Sequence, residues 1–519
     1  MGEKGFDGTI REGYGFQVPS LLIGAPLLKG AVASEARVRV PLAMMNRHGL
    51  IAGATGTGKT RTLQMLADQL SAAGVPVFLA DMKGDLTGIA VPGATNPKIE
   101  ERSRAIGTPF APAGAPVEFL SLTGASGTPI RATVSSFGPL LLARALDLNE
   151  TQQSVLSIVF KFCDDRKLLL LDLADLRAVL QFLTTDGAGE LADYGGMSKA
   201  TVGVLLREIM ELESQGADRF FGEPEFEVED LFREEGGRGV VSILELADLQ
   251  DRPALFTTFM MWLLASLYRE LPEAGDLDKP KLVFFFDEAH LLFDGASKPF
   301  LQQVEQVVKL IRSKGIGVFF VTQTPKDVPP DVLAQLGSRI QHALRAFTPQ
   351  DQKALKTTAD TFPVSEYYDI PETLTSLGIG EALVTVLGPR GVPTPVAATL
   401  VAPPWSLMGP IPEEEFRRRV AASPLHAEYA TMIDRESARE VLEARAEEAE
   451  AEGEPPVGRG AVPKRRAGKP SAEAPDVGRQ IGKALGSPLA RTVGRELVRG
   501  LFGVLGVRAP TARRRRRIW

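Results

Sequence analysis

Apolar and polar positions along this chain fall into two repeating patterns, one of period two or unbroken runs, the other of helical spacing. Residues 36–42 (ARVRVPL) alternate as a half-buried strand does, and residues 49–53 form a short apolar run that enters a Gly-rich turn. A helical pattern follows at once over residues 60–72. Residues 75–80 (VPVFLA) are then apolar throughout and end in Asp81, which completes the start of a βαβ unit. Residues 92–133, broken by Pro, Gly, Thr and Ser, read as loops with short strands, whereas residues 138–216 carry apolar positions at helical spacing. Strand-like runs return at 239–246, 281–286, 317–321 and 339–347, and two more at 381–387 and 395–401 close the series. Short runs that are apolar throughout suit buried parallel strands covered by helices on both faces, so the expected class is α/β with a parallel sheet.

The pattern changes after residue 405. Residues 412–450 are charged and helical, 452–475 are rich in Gly, Pro, Glu and Ala, and 477–507 are amphipathic but interrupted by glycines. The expected organisation is an N-terminal segment 1–45, a core 46–405 with a helical insertion at about 138–216, and a charged helical extension 406–450. A disordered linker 451–476 and an amphipathic helix with a basic end, 477–519, complete it. Docking on its own or a neighbouring subunit is the expected role of that last helix, ahead of a membrane anchor.

Composition narrows the classes. A single cysteine, Cys163, and four scattered histidines exclude a disulfide framework and a spaced Cys/His zinc site. The longest apolar stretch, residues 254–268, is shorter than the roughly 20 residues a spanning helix needs, and the N-terminus lacks a signal-peptide pattern, so no membrane span and a cytoplasmic location are expected. Residues 457–519 hold 16 Lys/Arg and 3 Asp/Glu; the overall charge of −6 therefore leaves −19 on the preceding 456 residues. The arginine run 513–517 suits nucleic acid or an acidic neighbour equally well, or is a solvated arm.

The chemistry is carried by a few short motifs. Gly53, Ala54, Thr55, Gly56, Thr57, Gly58, Lys59 and Thr60 match G-x-x-x-x-G-K-[ST] between a strand and a helix. Its glycines let backbone N–H groups turn around phosphate oxygens, Lys59 reaches the β/γ-phosphates and the Thr60 hydroxyl coordinates Mg²⁺; Arg61 follows directly and is grouped with the binding residues. In KLVFFFDEAH an apolar strand ends in two acids, which places Asp287 to hold Mg²⁺ and Glu288 to polarise the attacking water. Gln323, after GVFFVT, is expected at the same edge as a γ-phosphate sensor, and Asp81, ending the second strand there, either orients magnesium-bound waters or has a structural task. Together these give nucleoside triphosphate hydrolysis. An arginine that neutralises transition-state charge is also expected, with Arg47, Arg312, Arg339 and Arg345 as candidates that residue spacing alone does not rank.

HGLIAGATGTGKT, ADMKGDL, VFFFDEAHLLF, IRSKGIGVFFVTQTP and GSRIQHALRAFTPQDQ, in this order, resemble the HerA/FtsK class of P-loop ATPases, and within it the bacterial HerA-like proteins of the YjgR type, over roughly residues 15–405. The resemblance implies a RecA-like P-loop NTPase core, ATP and Mg²⁺ as cofactors, a homohexameric ring, movement of double-stranded DNA, and a nuclease or other protein partner. By the same resemblance Arg47 is an arginine finger acting across subunits, Arg312 a second phosphate-sensing arginine, and His48 part of the nucleotide site. The archaeal members carry an N-terminal barrel where about 45 residues precede the core here, and the membrane helices and winged domain of FtsK proteins have no counterpart in the pattern. DEAH at residues 287–290 is not the mark of a two-lobed helicase, since too few strands follow for a second lobe. The expected function is a DNA-translocating ATPase; an ATPase remodelling a protein partner is the alternative.

Overall fold

The structure is a computed structural model that describes residues 3–451 apart from 34, 295 and 297. These residues build one 13-stranded sheet with helices on both faces. Its principal strands are β1 (Ser20–Leu28), β2 (Val38–Pro41), β3 (Gly49–Ala52), β4 (Val77–Asp81), β5 (Val117–Ser121), β6 (Val241–Glu245), β7 (Leu282–Phe286), β8 (Ile316–Thr322), β9 (Ser338–His342), β10 (Glu381–Thr385) and β11 (Ala397–Val401). Across the sheet the order is β1, β11, β10, β9, β3, β8, β7, β4, β6, β5, with β2 paired to β1. The strands from β9 to β5 are all parallel, while β10, β11 and β1 run antiparallel to their neighbours.

Unbroken apolar runs become the middle of this sheet because both of its faces are covered. Every residue of β4 and β7 is buried. Successive side chains alternate between the two faces. Val77, Leu79, Val283 and Phe285 pack with Leu63, Leu66 and Leu70 of the helix Lys59–Ala72, whereas Phe78, Phe284 and Phe286 join Phe259 and Trp262 of the helix Pro253–Glu270 on the other side. The helical block expected at 138–216 consists chiefly of the helices Val134–Ala145, Glu150–Arg166, Leu173–Phe182 and Lys199–Ser214, packed onto that second face.

Two readings of the pattern change, and a third gains its place in the fold. Residues 1–45 are not a separate segment: β1 pairs with β11, and Tyr14 Oη donates to Pro395 O at 2.7 Å and to Val384 O at 3.1 Å, so this stretch closes the sheet. The run 339–347 overreaches. The strand ends at His342 because Thr348 and Asp351 cap the helix Pro349–Ala359, with Pro349 in its first turn, which draws the chain off the sheet and leaves Phe347 88% exposed. The extension 406–450 is docked on the domain, with Tyr429 buried, its hydroxyl donating to Asp230 at 2.7 Å and its carbonyl accepting from Arg131. The linker and amphipathic helix expected over 452–519 lie outside the described residues.

Candidate nucleotide site

Parallel strands bring their carboxyl ends to one edge, and this edge collects the motifs. β3 leads into the loop 53–58 and then the helix Lys59–Ala72. Gly53 N–H is shared between Thr322 O and Gln323 O, both at 3.2 Å, and Ala54 N–H donates to Ala343 O at 2.9 Å, so the ends of β8 and β9 hold the start of the loop. Its far side is held by Gly380 N–H donating to Thr57 O at 2.9 Å. Glycine is required at Gly53 and Gly58, where φ is 153° and 114°; a Cβ on Gly53 would also lie 2.5 Å from His342 Cβ.

His342 is the support beneath the loop. Nδ1 donates to Glu381 O at 2.9 Å and Nε2 accepts from Thr62 Oγ1 at 2.9 Å. Burial, chiefly, and the Lys59 charge push its pKa down to about 4, so the ring is neutral. Lys59 Nζ donates to Ala54 O at 3.3 Å; burial lowers its pKa while Glu288 and Asp287 oppose that shift. Arg61 is turned along its helix, donating to Gln64 Oε1 at 2.9 Å, with Asp85 3.9 Å away.

The two acids after β7 sit on a turn pinned from both sides, Asp287 N–H pointing to Ala80 O and Ala289 N–H donating to Val321 O. Asp287 is 4% exposed, and its Oδ2 is buried without a hydrogen-bond partner. Burial first, then the neighbouring Glu288 charge, push its pKa up to about 7. A buried orphan oxygen of this kind, whose charge acts on Lys59 next to Thr60, fits a hydrated Mg²⁺. The fit is of the usual Mg²⁺ kind, one carboxylate and a hydroxyl beside substrate phosphates. Glu288 lies in the left-handed region at φ 48°, a strained backbone for a side-chain-bearing residue, held by its pinned neighbours. Its Oε1 forms an ion pair with Lys83 Nζ, and Oε2 has no hydrogen-bond partner, with His290 Nδ1 3.3 Å away. Gln323 is exposed at the end of β8, while Asp327 beside it is committed to capping Thr324 and accepting from Thr322 Oγ1 at 2.8 Å.

Two of the four candidate arginines stand elsewhere, whereas Arg345, exposed, follows the carboxyl end of β9. Arg47 precedes β3 and Arg312 precedes β8, so both lie at the amino edge of the sheet. At about 3.3 Å per residue, the four residues of β3 put roughly 13 Å between Arg47 and the carboxyl edge and the seven of β8 roughly 23 Å between Arg312 and it, beyond the reach of an arginine side chain. Arg312 is exposed, and Arg47 Nε has no hydrogen-bond partner. The structure therefore does not bring Arg47 or Arg312 to the phosphate loop of their own subunit.

Two expected roles are corrected. His48 is not a nucleotide ligand: it is 2% exposed at the amino end of β3, its Nε2 donates to Val308 O at 2.8 Å and its Nδ1 accepts from Val318 N–H at 3.0 Å, so both ring nitrogens are used. Burial pushes its pKa down to about 4 and keeps it neutral. Asp81 has a structural task instead: its carboxylate accepts from the N–H groups of Lys83, Gly84 and Leu86 and so shapes the turn after β4. Lys83, His342 and Gly380 were missed. Lys83 and His342 lay inside stretches already singled out, but without a role of their own.

Glu245 ends β6 beside Asp81, 4% exposed, its Oε1 unpartnered. Burial, then Asp81, Asp248 and Asp85, push its pKa up to about 9. A folded-state pKa above the unfolded value means stability is lost as pH rises through that window. Glu245→Gln should therefore raise the thermal midpoint by a few degrees at pH 8–9, with the advantage shrinking toward pH 5. A difference independent of pH in thermal unfolding would show that Glu245 is already ionised in the fold.

Residues 27–510 match the family described as Helicase HerA-like C-terminal. The chain is 24% identical over 367 residues to the DNA double-strand break repair helicase HerA of Sulfurisphaera tokodaii, covering 68% of this chain and 65% of that protein. With the protein of the same name from Sulfolobus acidocaldarius it shares 21% over 358 residues, again 68% and 65% of the two chains, so it spans about two thirds of the length of these relatives. Among solved structures, the bacterial conjugative coupling protein TrwBdeltaN70 is similar at a TM-score of 0.51 and 15% identity, covering 77% of this chain and 92% of that one. That likeness and the sheet order are those of a RecA-like P-loop NTPase. Among the described residues no helix is long and apolar enough to cross a membrane.

Proposed function

Since the chain belongs to the HerA-like helicase C-terminal family, we propose that it is an ATP-hydrolysing ring motor that moves double-stranded DNA. The observation that carries the reading is the division of the site between two edges of one sheet. Loop, acids and Gln323 lie at the carboxyl edge, while Arg47 and Arg312 lie at the amino edge. If Arg47 or Arg312 neutralises the transition-state charge, it does so in a neighbouring copy, and head-to-tail contacts of this kind close into rings. A homohexamer is the ring we propose.

Within a subunit, the amides of the loop and Lys59 bind the β- and γ-phosphates. Thr60 and Asp287 would hold Mg²⁺, which neutralises charge between those phosphates when bound. Glu288 accepts a proton from the attacking water, and Gln323 contacts that water and the γ-phosphate. Arg47 and Arg312 reach into the next subunit's site. The names of the HerA relatives, helicases of double-strand break repair, support DNA as the polymer.

The test is ATPase rate with and without double-stranded DNA at low and moderate salt, on protein whose mass in solution is measured alongside. The expected outcome is a hexamer with strong stimulation that falls steeply with salt, because phosphate contacts release counterions. Turnover indifferent to DNA at every salt concentration would remove the polymer from the proposal and direct the search to protein partners.

A further inference from the structure

The ion pair that meets Glu288 belongs to no part of the phosphate loop. Lys83 follows β4, and its root is held by hydrogen bonds from two sides. Asp81, fully buried, accepts from the backbone N–H groups of Lys83 at 3.0 Å, Gly84 at 2.9 Å and Leu86 at 2.8 Å. Gln250 Nε2 donates to Met82 O at 2.7 Å from the far side. Out of this pinned turn the half-exposed Lys83 side chain reaches the 8% exposed Glu288 carboxylate and pairs with its Oε1.

Glu288 needs such a partner. Its backbone is in the left-handed region, and its second oxygen, Oε2, is buried with no hydrogen bond. A carboxylate with two free oxygens can rotate about its terminal torsion, which has broad wells. Tied at one oxygen it presents the other in one direction. The asymmetry suits a base that must take a proton from a single water, and a base oriented by a third group is the general arrangement in hydrolytic sites.

We propose that Lys83 is a positioning residue for ATP hydrolysis: it anchors Oε1 of Glu288 so that Oε2 is the oxygen that accepts the proton of the attacking water. This rests on the reading of Glu288 as the base. In the step, the bond from water oxygen to the γ-phosphorus forms, the bond from that phosphorus to the β–γ bridging oxygen breaks, ADP leaves with the bridging electron pair, and the water proton passes to Oε2. Lys83 keeps its own protons throughout.

The experiment uses the full chain and DNA-independent turnover, with Lys83→Met, Lys83→Arg, Glu288→Gln and the double variant Lys83→Met/Glu288→Gln. Affinity for a fluorescent ATP analogue and thermal unfolding are measured on each. Lys83→Met should lower kcat roughly tenfold to a hundredfold with analogue affinity unchanged, Lys83→Arg should restore most of the loss, and Lys83→Met should cost nothing further once Glu288 is Gln. Unchanged or raised kcat in Lys83→Met would overturn the proposal, as would a loss that appears only in KM and analogue affinity, which would put Lys83 on the phosphates. A wild-type chain without turnover, or a Glu288→Gln variant that retains it, defeats the reading of the base itself and this inference with it.

Discussion

Glu288→Gln is expected to bind ATP as tightly as the wild type and to turn it over about 10² to 10⁴ times more slowly. The substitution is nearly isosteric, and its amide oxygen can still accept from Lys83, so the pinned turn between Ala80 and Val321 has no cause to rearrange. What it loses is a proton-accepting oxygen at the carboxyl edge, within the same electrostatic neighbourhood as Lys59 and Asp287. Binding rests on other groups, the loop amides and Lys59, which is why the two readouts should part. Nucleotide affinity and steady-state ATPase measured on one preparation decide the matter. Normal turnover would strip Glu288 of its role, and loss of binding together with turnover would make its contribution structural.

The parts of this site that follow from local order were legible in the sequence, and those that follow from tertiary juxtaposition were not. Residues 53–60 and the acids 287 and 288 each sit at the end of an unbroken apolar run, and a parallel sheet sends the ends of such runs to one edge. β1 was harder: Gly24 and Pro26 interrupt SLLIGAPLL, and what makes it a strand is pairing with β11, far away in the chain. His342 carries no local sign of its role. It supports the loop only because β9 lies beside β3, a neighbour relation set by the crossover and not by any motif. His48 shows the opposite error, since only the family resemblance implied a part in the nucleotide site. Its ring instead bridges the helix Lys298–Ile311 to the start of β8, within the buried seam between them.

The division of the sheet into two edges makes a second large effect testable. Arg47→Ala and Arg312→Ala should each lower kcat, by about 10³ to 10⁵ for whichever neutralises the transition state. Neither should loosen nucleotide binding within the subunit, because both stand at the opposite edge of the sheet from the loop that binds it. If these arginines serve a neighbour, Arg47→Ala and Glu288→Gln damage different halves of each composite site. A ring assembled from both by co-expression then contains junctions where an intact Glu288 of the Arg47→Ala chain meets an intact Arg47 of the Glu288→Gln chain. Random assembly in equal amounts makes about a quarter of the junctions of this kind in a head-to-tail ring. Activity should therefore rise from near zero in either pure variant to a maximum near equal proportions and fall away on both sides. The same curve is expected with Arg312→Ala if it too acts across the junction. Activity that stays at the level of the pure variants at every ratio would place the arginine's role within its own subunit, and the separation of the two edges would then require a different account of how the transition-state charge is met.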